Sequence, residues 1–245
     1  MTWLPRLTYI ELRKCVDTKS ALVLLAVIFV LAAGFAVLAS TGEPDLNSFV
    51  GSALIPLPFL LPVISALSAT SDWSQRATVT TFSLVPRRSR ILVARLTATV
   101  LLVLLLASSI VVTTVAIFVV MHPAAFQATD WAEFAKTLWS ILVLAITAAL
   151  TGVAMGYLLL IPALAISVTL LVPVAYDVFI SLRFPDVGPW ISSLAFSQWL
   201  LKPNLDWESS GLETVGIGPA LSSLLLWTVL PLAAGWVRQL RKEVK

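Results

Sequence analysis

The chain has 245 residues, of which 59% are hydrophobic and only 12% are charged, and its formal net charge is +3. Charged residues make up about a quarter of an ordinary soluble domain, so this composition and a mean hydropathy of +0.97 exclude that class. We expect an all-α polytopic membrane protein, whose helices satisfy their own backbone hydrogen bonds within the bilayer.

The first 40 residues predict a helix at the membrane surface followed by a span. Residues 4–18 favour an amphipathic interfacial helix over an irregular tail. One stripe of this helix is charged, although Glu11 and Lys14 interrupt its apolar side; the stripe consists of Arg6, Arg13 and Asp17. The uncharged residues 20–40 form the first span, and no cleavable signal peptide is expected because this run is a full crossing.

The second and third spans are predicted at residues 49–69 and 91–120. The third exceeds one crossing, so it is expected to tilt, or to begin among the lipid headgroups with Arg95 snorkelling. The second span carries three prolines, each of which removes a backbone donor and kinks the helix; they are Pro56, Pro58 and Pro62.

A polar stretch, "SDWSQRATVTTFSLVPRRSR", separates these two spans at residues 71–90. It predicts a short helix with Ser71 or Asp72 as its N-cap and Pro86 after its end. Such a helix could dock on a partner protein, or it could lie at the interface ahead of a basic anchor. Its apolar positions are Trp73, Val79, Phe82 and Leu84.

The fourth and fifth spans are predicted at residues 134–154 and 157–180, joined by a tight turn near "TGVAMG". Pro162 and Pro173 kink the fifth span, and such kinks indicate either packing or a cavity that satisfies the freed carbonyl groups. Asp177 lies near the outer interface and close to Arg183. A snorkelling or paired carboxylate is favoured there over a substrate or proton site.

A short aromatic helix is predicted before the last span. The segment "GPWISSLAFSQWLLKP", residues 188–203, opens with a proline and is too short to cross a membrane. It is expected to lie at the membrane interface, with Trp190, Phe196 and Trp199 as its aromatic residues. The sixth span is predicted at residues 217–237.

The distribution of basic residues predicts that both termini are cytoplasmic. In that orientation 13 of the 16 Lys and Arg residues are inside, and only Lys136, Arg183 and Lys202 are outside. Nine of the 13 acidic residues are then outside. The excess of basic residues is thereby explained without a nucleic-acid partner.

Motifs for catalysis or metal binding are missing from the sequence. It contains no G-x-x-x-x-G-K-[ST], H-E-x-x-H or G-x-S-x-G pattern and no His and Cys cluster. The single histidine, His122, is expected at an interface, and the single cysteine, Cys15, is expected to fill a small packing space. The chain is therefore expected to move a molecule rather than to transform one, without catalytic residues or a metal site.

The loop between the second and third spans carries a family resemblance. Asp72, Arg76, Thr78, Pro86 and Arg90 follow a pattern of an acidic group, Arg-Gly-Thr, and Pro-x-Ser-Arg. An alanine replaces the glycine, a single aspartate stands where glutamates are usual, and the final Ser-Arg comes one residue late. With its six spans and N-terminal helix, the layout resembles the permease subunits of ABC exporters of type 2 (ABC-2).

The resemblance implies a function and partners. The N-terminal segment would be a connecting helix, and the loop with Trp73 and Phe82 would be the coupling helix that contacts a separate ATPase subunit. Residues 188–203 would be the family's re-entrant or interfacial helix before the sixth span. ATP and Mg²⁺ would bind to that partner, and no cofactor would bind to this chain. A second permease subunit, identical or homologous, would meet it across the second and fifth spans, where Pro56, Pro58, Pro62, Pro162 and Pro173 would line the translocation path.

The implied cargo is an amphiphilic or hydrophobic molecule, such as a drug, a peptide antibiotic or a lipid-like compound, exported across a bacterial plasma membrane. Membrane lipids would be further partners. The alternative is a non-transporting immunity or assembly subunit that docks a cytoplasmic regulator. A membrane-embedded transferase is disfavoured, because the cluster of intramembrane acids it needs is missing.

Overall fold

The computed structural model describes residues 3–17, 19–74, 88–184, 187–201 and 215–241. Within these ranges the chain is helical and has no strand. The helices are α1 (Trp3–Val16), α2 (Lys19–Ala39), α3 (Leu46–Leu54), α4 (Pro56–Ser74), α5 (Arg88–Met121), α6 (Pro123–Gln127), α7 (Trp131–Leu159), α8 (Pro162–Arg183), α9 (Gly188–Ile191), α10 (Ala195–Leu201), α11 (Ile217–Leu224) and α12 (Leu230–Arg241). A π-helical turn, Leu225–Val229, joins α11 to α12.

Six helical segments in the described part of the chain are long and apolar enough to cross a membrane. This finding confirms the prediction of an all-α protein with six candidate spans, and it is consistent with a multi-pass membrane protein. The segments are Lys19–Ala39, Leu46–Trp73, Arg88–Met121, Trp131–Leu159, Pro162–Phe179 and Ile217–Arg241.

The second spanning segment is divided where α3 meets α4. Asp45 caps α3 by accepting the backbone N–H of Ser48 at 2.7 Å, and Pro56 opens α4 directly after Ile55. Proline suits the first turn of a helix because its missing N–H would have no partner there. Pro62 lies inside α4, where it removes one helical hydrogen bond.

The turn predicted near Gly152 and Gly156 is wrong, because α7 continues through both glycines to Leu159. A Cβ atom on Gly152 would lie 2.2 Å from the carbonyl oxygen of Pro62, and one on Gly156 would lie 2.5 Å from Ala69 Cβ. The two glycines therefore mark a close contact between α7 and α4. The helix ends instead at Leu160, whose φ of 65° is left-handed, and α8 begins at Pro162.

The described part of the segment after α8 contains two short helices in place of the one helix that was predicted. The single helix expected over residues 188–203 is wrong within the described residues, because α9 and α10 are separated at Ser192–Leu194. Ser192 has an extended ψ of 135°, and the backbone N–H of Ser193 is donated to Asp177 instead of to a helical carbonyl.

The main apolar core lies between α2, α3, α4, α5 and α7. Its fully buried side chains come from all five helices, and α7 packs most extensively on α4 among the described elements. The largest include Ile28, Val50, Leu57, Leu61, Ile64, Ile110 and Phe118. By contrast, many apolar side chains of α8 are exposed, as expected for a helix that faces lipid or a partner.

Candidate functional site

A buried charge cluster joins α1 to α4 and α5 at one end of the bundle. We use the name charge cluster for Glu11, Lys14, Asp72 and Arg95. Arg95 is only 3% exposed. Its Nε donates to Glu11 Oε2 at 2.7 Å, and its Nη2 donates to Asp72 Oδ2 at 2.5 Å. Its Nη1 donates to the carbonyl oxygen of Ala69 at 3.0 Å.

Lys14 completes this cluster from the more exposed side. Its Nζ lies 2.8 Å from Glu11 Oε1 and 3.1 Å from Asp72 Oδ1. The two cations and two carboxylates sum to zero charge, and each carboxylate contacts both cations, which offsets much of the desolvation cost of burial. Of the two alternatives for the long third span, the one in which Arg95 snorkels is wrong, because the partners of Arg95 lie inside the bundle. Glu11, which interrupted the apolar side of α1 in the sequence, is buried for the same reason.

Further contacts hold α1 beside the same helices. The Cys15 thiol donates to Ser68 Oγ at 3.1 Å, and it is 3% exposed within the apolar core. Burial raises the pKa of the Cys15 thiol. The hydroxyl oxygens of Thr8 and Thr97 lie 2.9 Å apart. Together with the charge cluster, these contacts make α1 part of the bundle.

The residues predicted for the ATPase-coupling loop fall into two groups. Arg76, Thr78, Phe82 and Pro86 lie outside the described residues. The prediction that Ser71 or Asp72 caps a new helix is wrong, because both lie inside α4, which ends at Ser74.

The other two predicted loop residues are bound at helix ends close to the charge cluster. Trp73 Nε1 donates to Gln239 Oε1 of α12 at 3.0 Å. Arg90, in the first turn of α5, places its guanidinium 5.1 Å from the centre of the Trp3 ring. The helix ends on both sides of residues 75–87 are therefore fixed to α1 and α12.

A cavity of about 610 Å³ lies between α3, α4, α7, α8, α10, α11 and the π-helical turn. Of the prolines predicted to line a translocation path, Pro58, Pro62 and Pro173 line this cavity, whereas Pro56 and Pro162 are not among its lining residues. Phe59 and Val174 also line it and are 67% and 61% exposed. The cavity therefore opens to the outside of the bundle between α4 and α8.

The polar groups of the cavity wall are hydroxyl and amide groups, and no charged residue is among the described residues that line it. Several hydroxyl groups donate to backbone carbonyls three or four residues earlier in the chain. Thr147 donates to Val143 at 2.9 Å, Thr169 donates to Ala165 at 2.6 Å, and Ser197 donates to Leu194 at 2.7 Å. The Thr151 and Thr228 hydroxyl oxygens lie 2.7 Å apart.

Two polar oxygen atoms in the wall have no hydrogen-bond partner in the described part of the chain. They are Asn47 Oδ1, at the start of α3, and Thr137 Oγ1, in α7. Thr137 is 7% exposed. An unpaired buried oxygen costs free energy, so these two atoms are places where an additional hydrogen-bond donor would be stabilised.

The segment between α9 and α10 forms one side of the cavity, and Asp177 holds this segment from behind without itself being among the described lining residues. Asp177 is 8% exposed, and its Oδ1 accepts the backbone N–H of Ser193 at 3.0 Å. Its Oδ2 accepts the Ser193 hydroxyl. The carboxylate is thus paired within the fold and does not snorkel. Trp227 Nε1 donates to the carbonyl oxygen of Ile191 at 2.9 Å, which fixes the same segment to the π-helical turn.

The aromatic residues predicted for this segment are separated. Phe196 lines the cavity, whereas Trp190 is 53% exposed and Trp199 is 36% exposed. The Trp190 carbonyl oxygen accepts the Ser222 hydroxyl at 2.6 Å. His122 lies between α5 and α6, with its ring centre 5.4 Å from that of Phe118.

Sequence reasoning missed the pairing of Glu11 with Arg95 and the two unpartnered oxygen atoms. An ionisable residue in an otherwise apolar span indicates a partner within the membrane protein. Arg95 is such a residue, so its pairing could have been expected from the sequence. The sequence contains no comparable indication for Asn47 and Thr137, since an isolated Asn or Thr near a helix end is common. No protein-family model matches this chain, and no curated protein matches it.

Proposed function

We propose that this chain is the transmembrane permease subunit of an ATP-driven exporter of the ABC-2 class. Six helices with the length of membrane spans support this function, and so does a cavity among them that has no charged residue among its described lining residues. The pattern of residues 71–90 supports the choice of class. Two ATPase subunits would bind ATP and Mg²⁺, and a second permease subunit, identical or homologous, would complete the membrane part.

The charge cluster carries the proposal. Residues 75–87 connect α4 to α5, and Asp72 and Arg95 stand on the two sides of this connection. Because Arg95 binds both Asp72 and Glu11, the adjoining ends of α4 and α5 are held to each other and to α1. A partner that pushes on residues 75–87 would therefore move three helices together.

The same helix leads from the charge cluster to the cavity. Asp72 lies near the end of α4, and Pro58 and Pro62 of α4 line the cavity. Gly152 and Gly156 hold α7 against α4. A displacement of the end of α4 would thus reach the cavity wall through two tightly packed helices, which is the coupling that ATP-driven transport needs.

In such a permease the individual helices and the termini would have defined roles and positions. Helix α1 would be the connecting helix, residues 75–85 would contain the coupling helix, and α9 with α10 would form the re-entrant or interfacial element on the outer side. Both termini would lie in the cytoplasm of a bacterial cell, beneath the plasma membrane. The cargo would be amphiphilic or hydrophobic.

Co-expression with the ATPase of a neighbouring gene tests the proposal. We expect the two proteins to co-purify, and we expect ATP hydrolysis and dye efflux to depend on both. Phe82→Ala should reduce efflux while leaving membrane insertion intact. Phe184→Ala, which changes an exposed phenylalanine at the opposite end of the bundle, is the control and should behave like the wild type. Failure to bind any such ATPase, or normal efflux in Phe82→Ala, would contradict the proposal.

A further inference from the structure

We propose that the cavity binds a neutral, largely apolar molecule that donates a hydrogen bond through a hydroxyl or amide N–H group. The acceptors for this group are Asn47 Oδ1 and Thr137 Oγ1. This inference deepens the proposed export function, and it rests on that function only in identifying the bound molecule as cargo.

The size and the neutrality of the cavity define the first part of the ligand class. Its volume of about 610 Å³ falls within the range of about 300–1,000 Å³ that is usual for small-molecule sites. No charged residue is among the described residues that line it. An ionic ligand would lose its hydration without gaining a counter-charge, so a neutral ligand is favoured.

The hydrogen bonds within the wall define the second part. A hydroxyl group has one hydrogen and two lone pairs. The hydroxyl hydrogens of Thr147, Thr169 and Ser197 are donated to backbone carbonyls, and that of Ser223 is donated to the carbonyl oxygen of Ser193. What these four groups can still offer a ligand is acceptor capacity. Asn47 Oδ1 can only accept, and the unpartnered Thr137 hydroxyl can accept or donate. Among these six oxygen atoms acceptors outnumber donors, so a ligand with a donor is favoured over one with acceptors alone.

Asn47 and Thr137 locate the polar end of the ligand. Both line the cavity, and their oxygen atoms are buried without a partner in the residues that the structure describes. The two helices are close at this point, since a Cβ on Gly51 of α3 would lie 3.7 Å from Thr137 Cγ2. Both oxygen atoms are buried within the wall, so the proposal requires the Asn47 and Thr137 side chains to rotate toward the cavity, where a ligand O–H or N–H would satisfy them.

Two probes of matched shape test this preference. 1-Naphthol has an O–H donor, whereas 1-methoxynaphthalene has the same ring system and only an acceptor. Binding of each is measured by equilibrium dialysis against lipid nanodiscs that hold the wild-type chain alone, with empty nanodiscs of the same lipid subtracted. We expect naphthol to bind about fivefold more tightly, as one additional hydrogen bond provides. Equal binding of the two probes, or tighter binding of the cation 1-naphthylmethylammonium, would overturn the proposal.

Variants then test the position of the acceptors. The double variant Asn47→Leu, Thr137→Val should bind the two naphthalene probes equally, whereas Thr137→Ser keeps its hydroxyl and should retain the preference. Thr114→Val is the matched control, because that buried hydroxyl donates to the Ile110 carbonyl oxygen and does not line the cavity. An undiminished preference for naphthol in the folded double variant would overturn the assignment. Removing hydroxyl or amide groups that lack partners leaves no new unpaired atom, so this variant is expected to fold.

The dialysis experiment tests the ligand site independently of the proposed export function, because it uses no ATPase. If the naphthol preference holds and no ATPase binds, the chain has the ligand site but is not a permease of this class. If the ATPase couples to efflux and the preference is missing, the export function stands and the inference about the ligand fails.

Discussion

Arg95 contacts groups on two other helices, and so its removal affects more than its own hydrogen bonds. Glu11 and Asp72 would remain buried at 3% and 6% exposure with only Lys14 nearby. Loss of one member of a buried ion pair is strongly destabilising, because the remaining charge is left uncompensated. Stability measurements can therefore test whether the charge cluster is formed in the membrane.

We expect Arg95→Met to lower the free energy of unfolding by about 3–5 kcal/mol, measured by thermal denaturation in nanodiscs. Arg13→Gln is the matched control. Arg13 pairs with Asp17 at 2.7 Å, but the two side chains are 66% and 60% exposed, so solvent already stabilises each charge. An equally small effect of both substitutions would show that the cluster does not hold α1 in place.

The reactivity of the Cys15 thiol provides a second test of the docked position of α1. Burial both blocks access to its thiol and raises the pKa of that thiol, so the reactive thiolate is scarce at neutral pH. We expect slow alkylation of the folded protein by iodoacetamide and rapid alkylation in dodecyl sulfate. The variant Glu43→Cys provides an exposed thiol as a positive control in the folded state. Rapid modification of Cys15 before unfolding would contradict the docked position of α1.

The contact between α4 and α7 holds these two helices closely against each other. Gly152 and Gly156 lie one turn apart on the face of α7 that meets α4. Because neither glycine has a side chain, the two backbones approach closely over this turn. The α4–α7 pair is therefore tightly packed between the charge cluster and the cavity.

Gly152→Ala should lower stability by about 1–3 kcal/mol, since overpacking forces the backbones apart, and the new Cβ would lie 2.2 Å from the Pro62 carbonyl oxygen. The loss is measured as a fall in the midpoint of thermal aggregation. Gly34→Ala, in α2, is the control because a Cβ there meets nothing within 4 Å. A helix interior favours alanine over glycine, so this control should be as stable as the wild type or more stable.

The positions at which helices end are harder to predict from the sequence than the number of spans. Span number follows from apolar composition, which the sequence displays directly. Gly152 and Gly156 indicated a turn because glycine is common in turns, but it is also common where spans pack closely. The actual end depends on Leu160, a non-glycine residue at a φ of 65°, and nothing in a lone leucine indicates a left-handed backbone.

Tertiary partners explain the remaining differences between expectation and structure. Arg95 was visible as a charge at the start of a span, but its contact with Glu11 joins residues 84 positions apart. Asp177 was visible as an acid near an interface, but Ser193 became its partner only because the chain between α9 and α10 folds back toward α8. The cavity joins residues of six helices and the π-helical turn, so prolines could indicate some of its wall and no sequence spacing could indicate the rest.

At the scale of the whole molecule, the distribution of basic residues predicts an orientation that can be measured. Since the chain has one cysteine and it is buried, single cysteines can be introduced with little background, and Cys15→Ser removes the remainder. Glu43 and Arg241 are both exposed, and they lie at opposite ends of the predicted topology.

We expect a membrane-impermeant maleimide to label Glu43→Cys in intact cells and to label Arg241→Cys only after permeabilisation. The reason is that the positive-inside bias places the C-terminal basic residues in the cytoplasm. Labelling is measured by the mass shift of the protein on a gel. The opposite pattern would reverse the orientation, and with it the side on which an ATPase could bind.

The charge cluster also imposes an order on biogenesis. Synthesis delivers Glu11 and Lys14 first, Asp72 after two spans, and Arg95 only at the start of the third. Until Arg95 emerges, the other three groups carry a net negative charge, and burying them would be costly. Helix α1 is therefore made first, but it can pack against the bundle only after the third span has begun to insert. In chains truncated before Arg95, we expect α1 to remain at the membrane surface.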